Sequence, residues 1–132
     1  MMVAVISICV AACIGALARW QLGVWLNPPP ADAGTVIPLG TLTVNLVGGY
    51  LIGVCVAVFQ AMPQLDPVWR LALITGFLGT LTTFSSFSAE VIAMFMQQRY
   101  ALALGTIAVH LLGSLTLTLL GIRSATWVLA LR

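Results

Sequence analysis

Gly76-Phe77-Leu78-Gly79-Thr80-Leu81-Thr82-Thr83-Phe84-Ser85-Ser86-Phe87-Ser88 lies within the 19 uncharged residues that separate Arg70 from Glu90. Six of the nine residues from Thr80 to Ser88 carry hydroxyls, with Gly76 and Gly79 just ahead of them. A helix crosses the roughly 30 Å hydrocarbon layer with about 20 residues. A span built on this stretch therefore carries its hydroxyls at mid-bilayer depth. A single Ser or Thr in a membrane helix usually bonds back to the i−4 carbonyl and signifies little. Six together, with Gly79 alongside, predict a helix broken in mid-membrane, its freed backbone groups facing an ion or a water-filled cavity. The plainer reading is a polar helix interface.

The rest of the chain is membrane-like in composition. Of 132 residues 61% are hydrophobic and only 6% charged, and lysine is absent. Eight charged side chains cannot cover a soluble globule, for which about 25% charged residues is usual. Disordered and nucleic-acid-binding classes fall away with the soluble one, since a net charge of +2 leaves no electrostatic footprint for a polyanion. Uncharged runs also precede Arg19, join Asp32 to Asp66 and join Arg99 to Arg123. The expected architecture is an all-α integral membrane protein, one domain over 1–132, with spans near 3–25, 38–59, 69–97 and 101–122. Asn27 and Pro28–Pro30 punctuate the first connection, Pro63 and Pro67 the second, and Gln98 and Arg99 the short third. Trp20, Trp25, Trp69, Tyr100 and Trp127 fall near span ends, where amphipathic rings prefer the headgroups. Trp127 and Arg132 are expected on a short tail.

Val10-Ala11-Ala12-Cys13 and Ala16-Leu17-Ala18 look like processing sites, but no Lys or Arg precedes the first apolar run, so that span is expected to be retained. Cys9, Cys13 and Cys55 form no CxxC and read as small apolar packing residues. Four spans put Arg70, Arg123 and Arg132 on one side and Arg19 and Arg99 on the other. Three against two is almost no bias, so orientation is either weakly set or dual, and dual orientation implies an antiparallel homodimer.

Other spans carry polar side chains too. Thr106, His110, Ser114 and Thr118 follow one another at i+4 steps in the fourth span. Thr41 and Asn45 share that spacing in the second, ahead of Gly49 and Gly53, whose GxxxG pattern suits close helix packing. Asn45 reads as interhelical glue or as part of a polar lining. His110 is the single histidine, so a metal site is not expected. Glu90 fits a vestibule, an arginine partner or a proton relay. Arg19 near a span end is expected to snorkel to the interface. Hydroxyls, an amide and the positive ring edges of Phe84 and Phe87 are weak donors without formal charge. That lining suits a small anion that must shed water and still leave. A polyvalent anion calls for more arginine. No catalytic triad, P-loop or metal cluster is present, so the chain is not read as an enzyme.

Gly15-Ala16-Leu17-Ala18-Arg19-Trp20, Gly40-Thr41-Leu42-Thr43-Val44-Asn45, and above all Gly76-Phe77-Leu78-Gly79 with Thr82-Thr83-Phe84-Ser85-Ser86-Phe87-Ser88 resemble the Fluc fluoride channels, in order along nearly the whole chain. The resemblance implies an antiparallel dual-topology homodimer with two fluoride pathways, exporting fluoride passively and excluding chloride. It implies that Asn45, Phe84 and Phe87 belong to the pore. Thr41, Ser85, Ser114 and Thr118 would line a polar track, with His110 and Glu90 nearer its approaches. Backbone carbonyls of Gly79 and Thr82 from both subunits would hold a structural sodium ion at the dimer interface. Two positions depart from the pattern. Ser86 replaces a frequent threonine and keeps the hydroxyl, whereas Thr80 replaces a frequent second glycine and adds a Cβ near the sodium site. The expected function is fluoride export across the bacterial inner membrane. Rival readings are a proton-coupled fluoride carrier using Glu90 or His110, a small multidrug-type dual-topology transporter, and a subunit with no transport of its own. The multidrug reading is disfavoured, because such transporters need a carboxylate that the first span lacks.

Overall fold

The computed structural model describes residues 1–27 and 36–131. Pro28–Pro30 and Arg132 lie outside the described residues. Four helices among these residues are long and apolar enough to cross a membrane: Met2–Leu26, Leu39–Ala61, Pro67–Met96 and Tyr100–Ala130. The chain is a multi-pass membrane protein.

Helix α1 (Met2–Leu26) buries only Gly15 and is apolar on most of its surface, with Ser7, Arg19 and Gln21 its polar side chains, the pattern of a helix whose solvent is lipid. Helix α2 (Leu39–Ala61) begins where the backbone N–H of Gly40 donates to Oδ1 of Asn27 at 2.7 Å. Asn27 thereby joins the end of α1 to the start of α2. The third span is composite. Its opening turn α3 (Pro67–Arg70) is capped by Asp66, which accepts from the Val68 N–H at 2.9 Å, with Pro67 where its missing N–H costs nothing. The chain then winds as a π-helix over Leu71–Leu78 and returns to α-helix in α4 (Gly79–Leu81). Thr82 and Thr83 are extended, with ψ of 155° and 107°, and α5 (Phe84–Met96) follows. Thr83 caps α5 by accepting the Ser86 N–H at 3.2 Å.

Gln98, at φ 60°, turns the chain into α6. The N–H of Gln98 reaches the Phe95 carbonyl and that of Arg99 the Met94 carbonyl, both at 2.9 Å, a Schellman closure with glutamine where glycine is usual. Helix α6 (Tyr100–Ala130) contains 31 residues, about 46 Å at the usual rise. It runs past Ile122, where the uncharged run stops, so Trp127 is helical rather than on a tail. Nothing from Arg123 to Ala130 is a glycine or proline that would end it.

Contacts along the helices set their directions. Ile8 meets Gly76, Gly15 meets Phe77 and Thr80, and Arg19 meets Thr82, so α1 and the third span run parallel. Asn45 meets His110, Gly49 meets Ser114, and Gly53 meets Thr118 and Ile122, so α2 and α6 do the same. The two pairs pack about equally extensively. The α2–α6 packing depends on glycine: a Cβ on Gly53 would strike the Thr118 carbonyl, and one on Gly121 the Tyr50 carbonyl. The helices approach backbone to backbone, the usual route to dispersion energy where lipid offers no hydrophobic drive. One apolar cluster, Val44, Leu78 and Leu81, joins α2 to the third span. Another, Val91, Met94 and Ala103, closes α5 on α6.

Thr80 packs between the third span and α1. Its side chain faces α1, where the hydroxyl contacts the carbonyl of Ala12 at 2.9 Å, and it also bonds back to the carbonyl of Gly76 in its own span at 2.8 Å. It is an interhelical contact beside Gly15. Cys9 and Cys13 are exposed on α1, and Cys55 packs at the first apolar cluster.

Candidate functional site

The extended link at Thr82–Thr83 organises the site. In an unbroken helix the Thr83 N–H would donate to Gly79, four residues back. Here it donates to Oδ1 of Asn45 at 2.8 Å, while Asn45 Nδ2 donates to the Thr83 carbonyl at 3.1 Å. The side-chain amide thus pairs with a whole peptide unit, and Thr83 is buried beneath it. The carbonyl of Gly79 loses its usual i+4 donor. The Thr82 side chain stays with its own helix, donating to the Leu78 carbonyl at 2.9 Å, and its methyl fills the space beside Gly48.

A cavity opens on each side of this junction. One, of about 630 Å³, is lined by Arg19, Thr41, Val44, Thr83, Ser86 and Glu90 among others. Thr41 donates its hydroxyl to Oε1 of Glu90. Oε2 of Glu90 is buried and has no partner among the described residues. Arg19 places its guanidinium 3.5 Å from the Thr82 carbonyl. Glycine at 40 leaves room for the contact with Asn27 at this cavity's rim.

The second cavity, about 480 Å³, is lined by Asn45, Gly79, Thr82, Phe84, Phe87, His110, Ser114 and Thr118 with several apolar side chains. Phe84 and Phe87 lie 5.5 Å apart between ring centroids, tilted by 54°. Phe87 in turn covers the His110 ring at 4.6 Å and 32°. His110 is 5% exposed, and its Nδ1 lies 3.3 Å from Asn45 Nδ2. Phe84, by contrast, is 78% exposed on a single chain. Thr118 donates its hydroxyl to the carbonyls of Gly49 and Ser114, both 2.9 Å away.

Ser85 lines neither cavity; its hydroxyl lies 3.3 Å from that of Thr83. Thr106, first of the i+4 stripe, turns away from this site and is fully buried against the Met94 sulfur at 3.5 Å. The residue that sequence reasoning missed is Thr83, which caps α5 and receives Asn45. Its signal was present as a threonine three residues before Ser86 at the start of an apolar run.

For a sodium ion the donors at hand are carbonyls. The Gly79 carbonyl, freed of its helical donor, suits a hard cation, whereas the Thr82 carbonyl already faces Arg19. Among the described residues no group of three His, Cys, Asp or Glu comes together.

Residues 6–122 match a family model described as CrcB-like protein, Camphor Resistance (CrcB). The chain is 68% identical over 130 residues to a protein of Albidiferax ferrireducens named fluoride-specific ion channel FluC, covering 98% of this chain and 96% of that one. A protein of the same name from Paracidovorax citrulli is 62% identical, covering 98% and 99%. Another, from Pseudomonas aeruginosa, is 50% identical over 125 residues, with 95% of each chain covered.

Proposed function

We propose that this chain, which belongs to the CrcB-like family, is a fluoride-selective ion channel that lets cytoplasmic fluoride leave a bacterial cell across its inner membrane. The carrying observation is the second cavity, where hydrogen-bonding groups and the rings of Phe84 and Phe87 meet without a formal charge. The names of relatives that span the same length support the same ion. Such a wall replaces the hydration of a small anion piecemeal, and no site holds it tightly enough to stop conduction. Arg19 in the neighbouring cavity raises the local anion concentration before entry. Driving force is the electrochemical gradient alone, so no enzymatic step is involved.

The channel is an antiparallel homodimer whose third span is broken at mid-bilayer depth, at the Thr82–Thr83 link. Two features of the single chain support this arrangement. Phe84 projects from one copy with most of its surface uncovered. Positive charge is nearly even between the two ends, so neither orientation is favoured. A structural sodium ion at the dimer interface, on the Gly79 and Thr82 carbonyls, is part of this proposal; the Gly79 carbonyl is free to hold it, whereas at Thr82 the Arg19 guanidinium, 3.5 Å away, would have to turn aside.

Glu90 favours a second reading. A carboxylate with one buried, unpartnered oxygen suits a proton-coupled carrier. Fluoride efflux from loaded liposomes separates the two, followed with a fluoride electrode and chloride-loaded controls. A channel empties fluoride when valinomycin dissipates the charge, retains chloride and works in the Glu90→Gln variant. Efflux that instead follows an imposed pH gradient and stops in Glu90→Gln establishes the carrier. A folded, inserted protein that releases no fluoride refutes both.

A further inference from the structure

The first turn of α2 is capped from another helix. A capping side chain usually accepts the N–H of the second or third helical residue, and the residue before α2 is Pro38, whose ring offers no acceptor. The N–H in question, on Gly40, donates instead at 2.7 Å to Oδ1 of Asn27, 13 positions earlier. Asn27 also ends α1. Its own N–H returns to the Gly23 carbonyl at 3.0 Å, and its backbone is extended, at φ −82° and ψ 146°. The backbone of one residue thus closes α1 while its side chain opens α2. Glycine makes the contact possible, since a Cβ on Gly40 would lie 2.7 Å from that oxygen and 2.9 Å from the Cα of Gly23.

The residue after Gly40 is Thr41, which is buried. Its hydroxyl donates to Oε1 of Glu90, 49 positions further on in α5. Oε2 of Glu90 has no partner among the described residues, so this one hydroxyl fixes the carboxylate. The rest of α5 packs more on α6 than on α2. Asn27, Gly40, Thr41 and Glu90 all line the first cavity, together with Arg19. Asn27 stands at a span end, eight residues beyond Arg19, which is about 12 Å at the usual helical rise. The tie therefore lies at the cavity's rim, and Arg19 lies deeper.

We infer that Asn27 is a positioning residue for the first cavity: its amide oxygen holds the first turn of α2 and, through Thr41, fixes the Glu90 carboxylate. This rests on the fluoride-channel reading, in which that cavity is an approach to the pathway. A carboxylate that accepts a hydrogen bond has part of its charge taken up by the donor. Once released, it turns its full charge on an anion drawn in by Arg19, and the two effects oppose each other. Asn27 acts only through its neighbours, by keeping the Thr41 hydroxyl in reach of Glu90.

Asn27→Ala removes the acceptor, Asn27→Leu does so at closer to the native size, and Asn27→Asp keeps it. A first-turn N–H has no partner within its own helix, so hydrogen exchange at Gly40, read by mass spectrometry with fragmentation to single residues, reports the tie directly. Exchange there is expected to quicken roughly two- to tenfold in Asn27→Ala and Asn27→Leu, the worth of one hydrogen bond, and to stay at the unsubstituted rate in Asn27→Asp. Flux gives the second readout. Fluoride efflux from liposomes should fall by a similar factor in Asn27→Ala, and by much less when the same change is made in Glu90→Gln, where the carboxylate it acts through is gone. Equal fractional losses in the two backgrounds would make Asn27 a support for the fold at large and overturn the inference. Unchanged efflux in Asn27→Ala, or unchanged exchange at Gly40, also overturns it. Absence of fluoride efflux from the unsubstituted protein refutes the channel reading instead, and exchange at Gly40 still decides whether Asn27 holds α2.

Discussion

Replacing Asn45 with leucine keeps the side-chain size while removing the amide from Thr83. Thr83 is buried, and its N–H and carbonyl would lose partners now 2.8 and 3.1 Å away. Two orphaned backbone groups cost about 2–6 kcal/mol if nothing replaces their partners, at about 1–3 each. Hydrogen bonds within membrane proteins average only about 0.6 kcal/mol by double-mutant cycles, because the freed groups often find other partners. The partner an unbroken helix would give the Thr83 N–H is the carbonyl of Gly79, four residues back. Taking it requires Thr82 and Thr83 to leave their extended angles and wind into helix. That would pull the Thr83 hydroxyl from the Ser86 N–H and lose a cap worth about 1 kcal/mol. The expected cost of Asn45→Leu is therefore about 2–4 kcal/mol, with loss of fluoride efflux. SDS titration followed by tryptophan emission measures it, and Ser124→Ala provides the comparison. That variant removes an exposed hydroxyl contact to Tyr50 and should cost no more than about 0.5 kcal/mol. If Asn45→Leu unfolds within about 1 kcal/mol of the wild type and conducts normally, Asn45 does not support the link.

The same substitution at two α6 glycines should give opposite signs. Gly121→Ala drives a Cβ into the Tyr50 carbonyl and should destabilise by about 1–3 kcal/mol. Gly105→Ala has nothing within 4 Å and should gain about 0.5–1 kcal/mol of helix propensity; matching unfolding curves for the two would contradict the packing described for α2 and α6. Gln98→Gly relieves a side chain held at φ 60° and should stabilise the α5–α6 turn by about 0.5–1 kcal/mol, measured by the same titration. Phe84→Ile removes a ring from the second cavity and is expected to cut fluoride efflux while the protein elutes at an unchanged size on gel filtration; unchanged efflux would remove Phe84 from the pathway.

Legibility differed between the membrane class and the site. Charge spacing alone located four apolar segments, because a charged side chain in hydrocarbon costs enough to be read from composition. Ends were less legible. Charge marked Arg123 as the limit of the fourth span, yet α6 continues to Ala130, since a helix stops for backbone reasons and not for a single arginine. Polar positions were legible as a set and not as partners. Thr106 and His110 share a stripe in the sequence, but one faces the Met94 sulfur and the other Asn45 and Phe87. The i+4 face rotates slowly around a helix whose neighbours change along its length. The contact of Arg19 with the Thr82 carbonyl, 63 positions away, was likewise not legible from its place near a span end.

By itself, the sequence determined the solvent. A chain this poor in charge has to satisfy its backbone internally, and in lipid that leaves helices of spanning length. It also located the anomalous hydroxyl segment, because six hydroxyls in nine residues are out of place wherever the fold puts them. Only the tertiary structure decided what those groups bond to. Whether an amide, a hydroxyl or an imidazole has a hydrogen left to offer depends on neighbours 38 to 69 positions away in the chain. Hydrogen bonds are directional and exhaust a donor, and no periodicity along one helix encodes which donor on another is already taken.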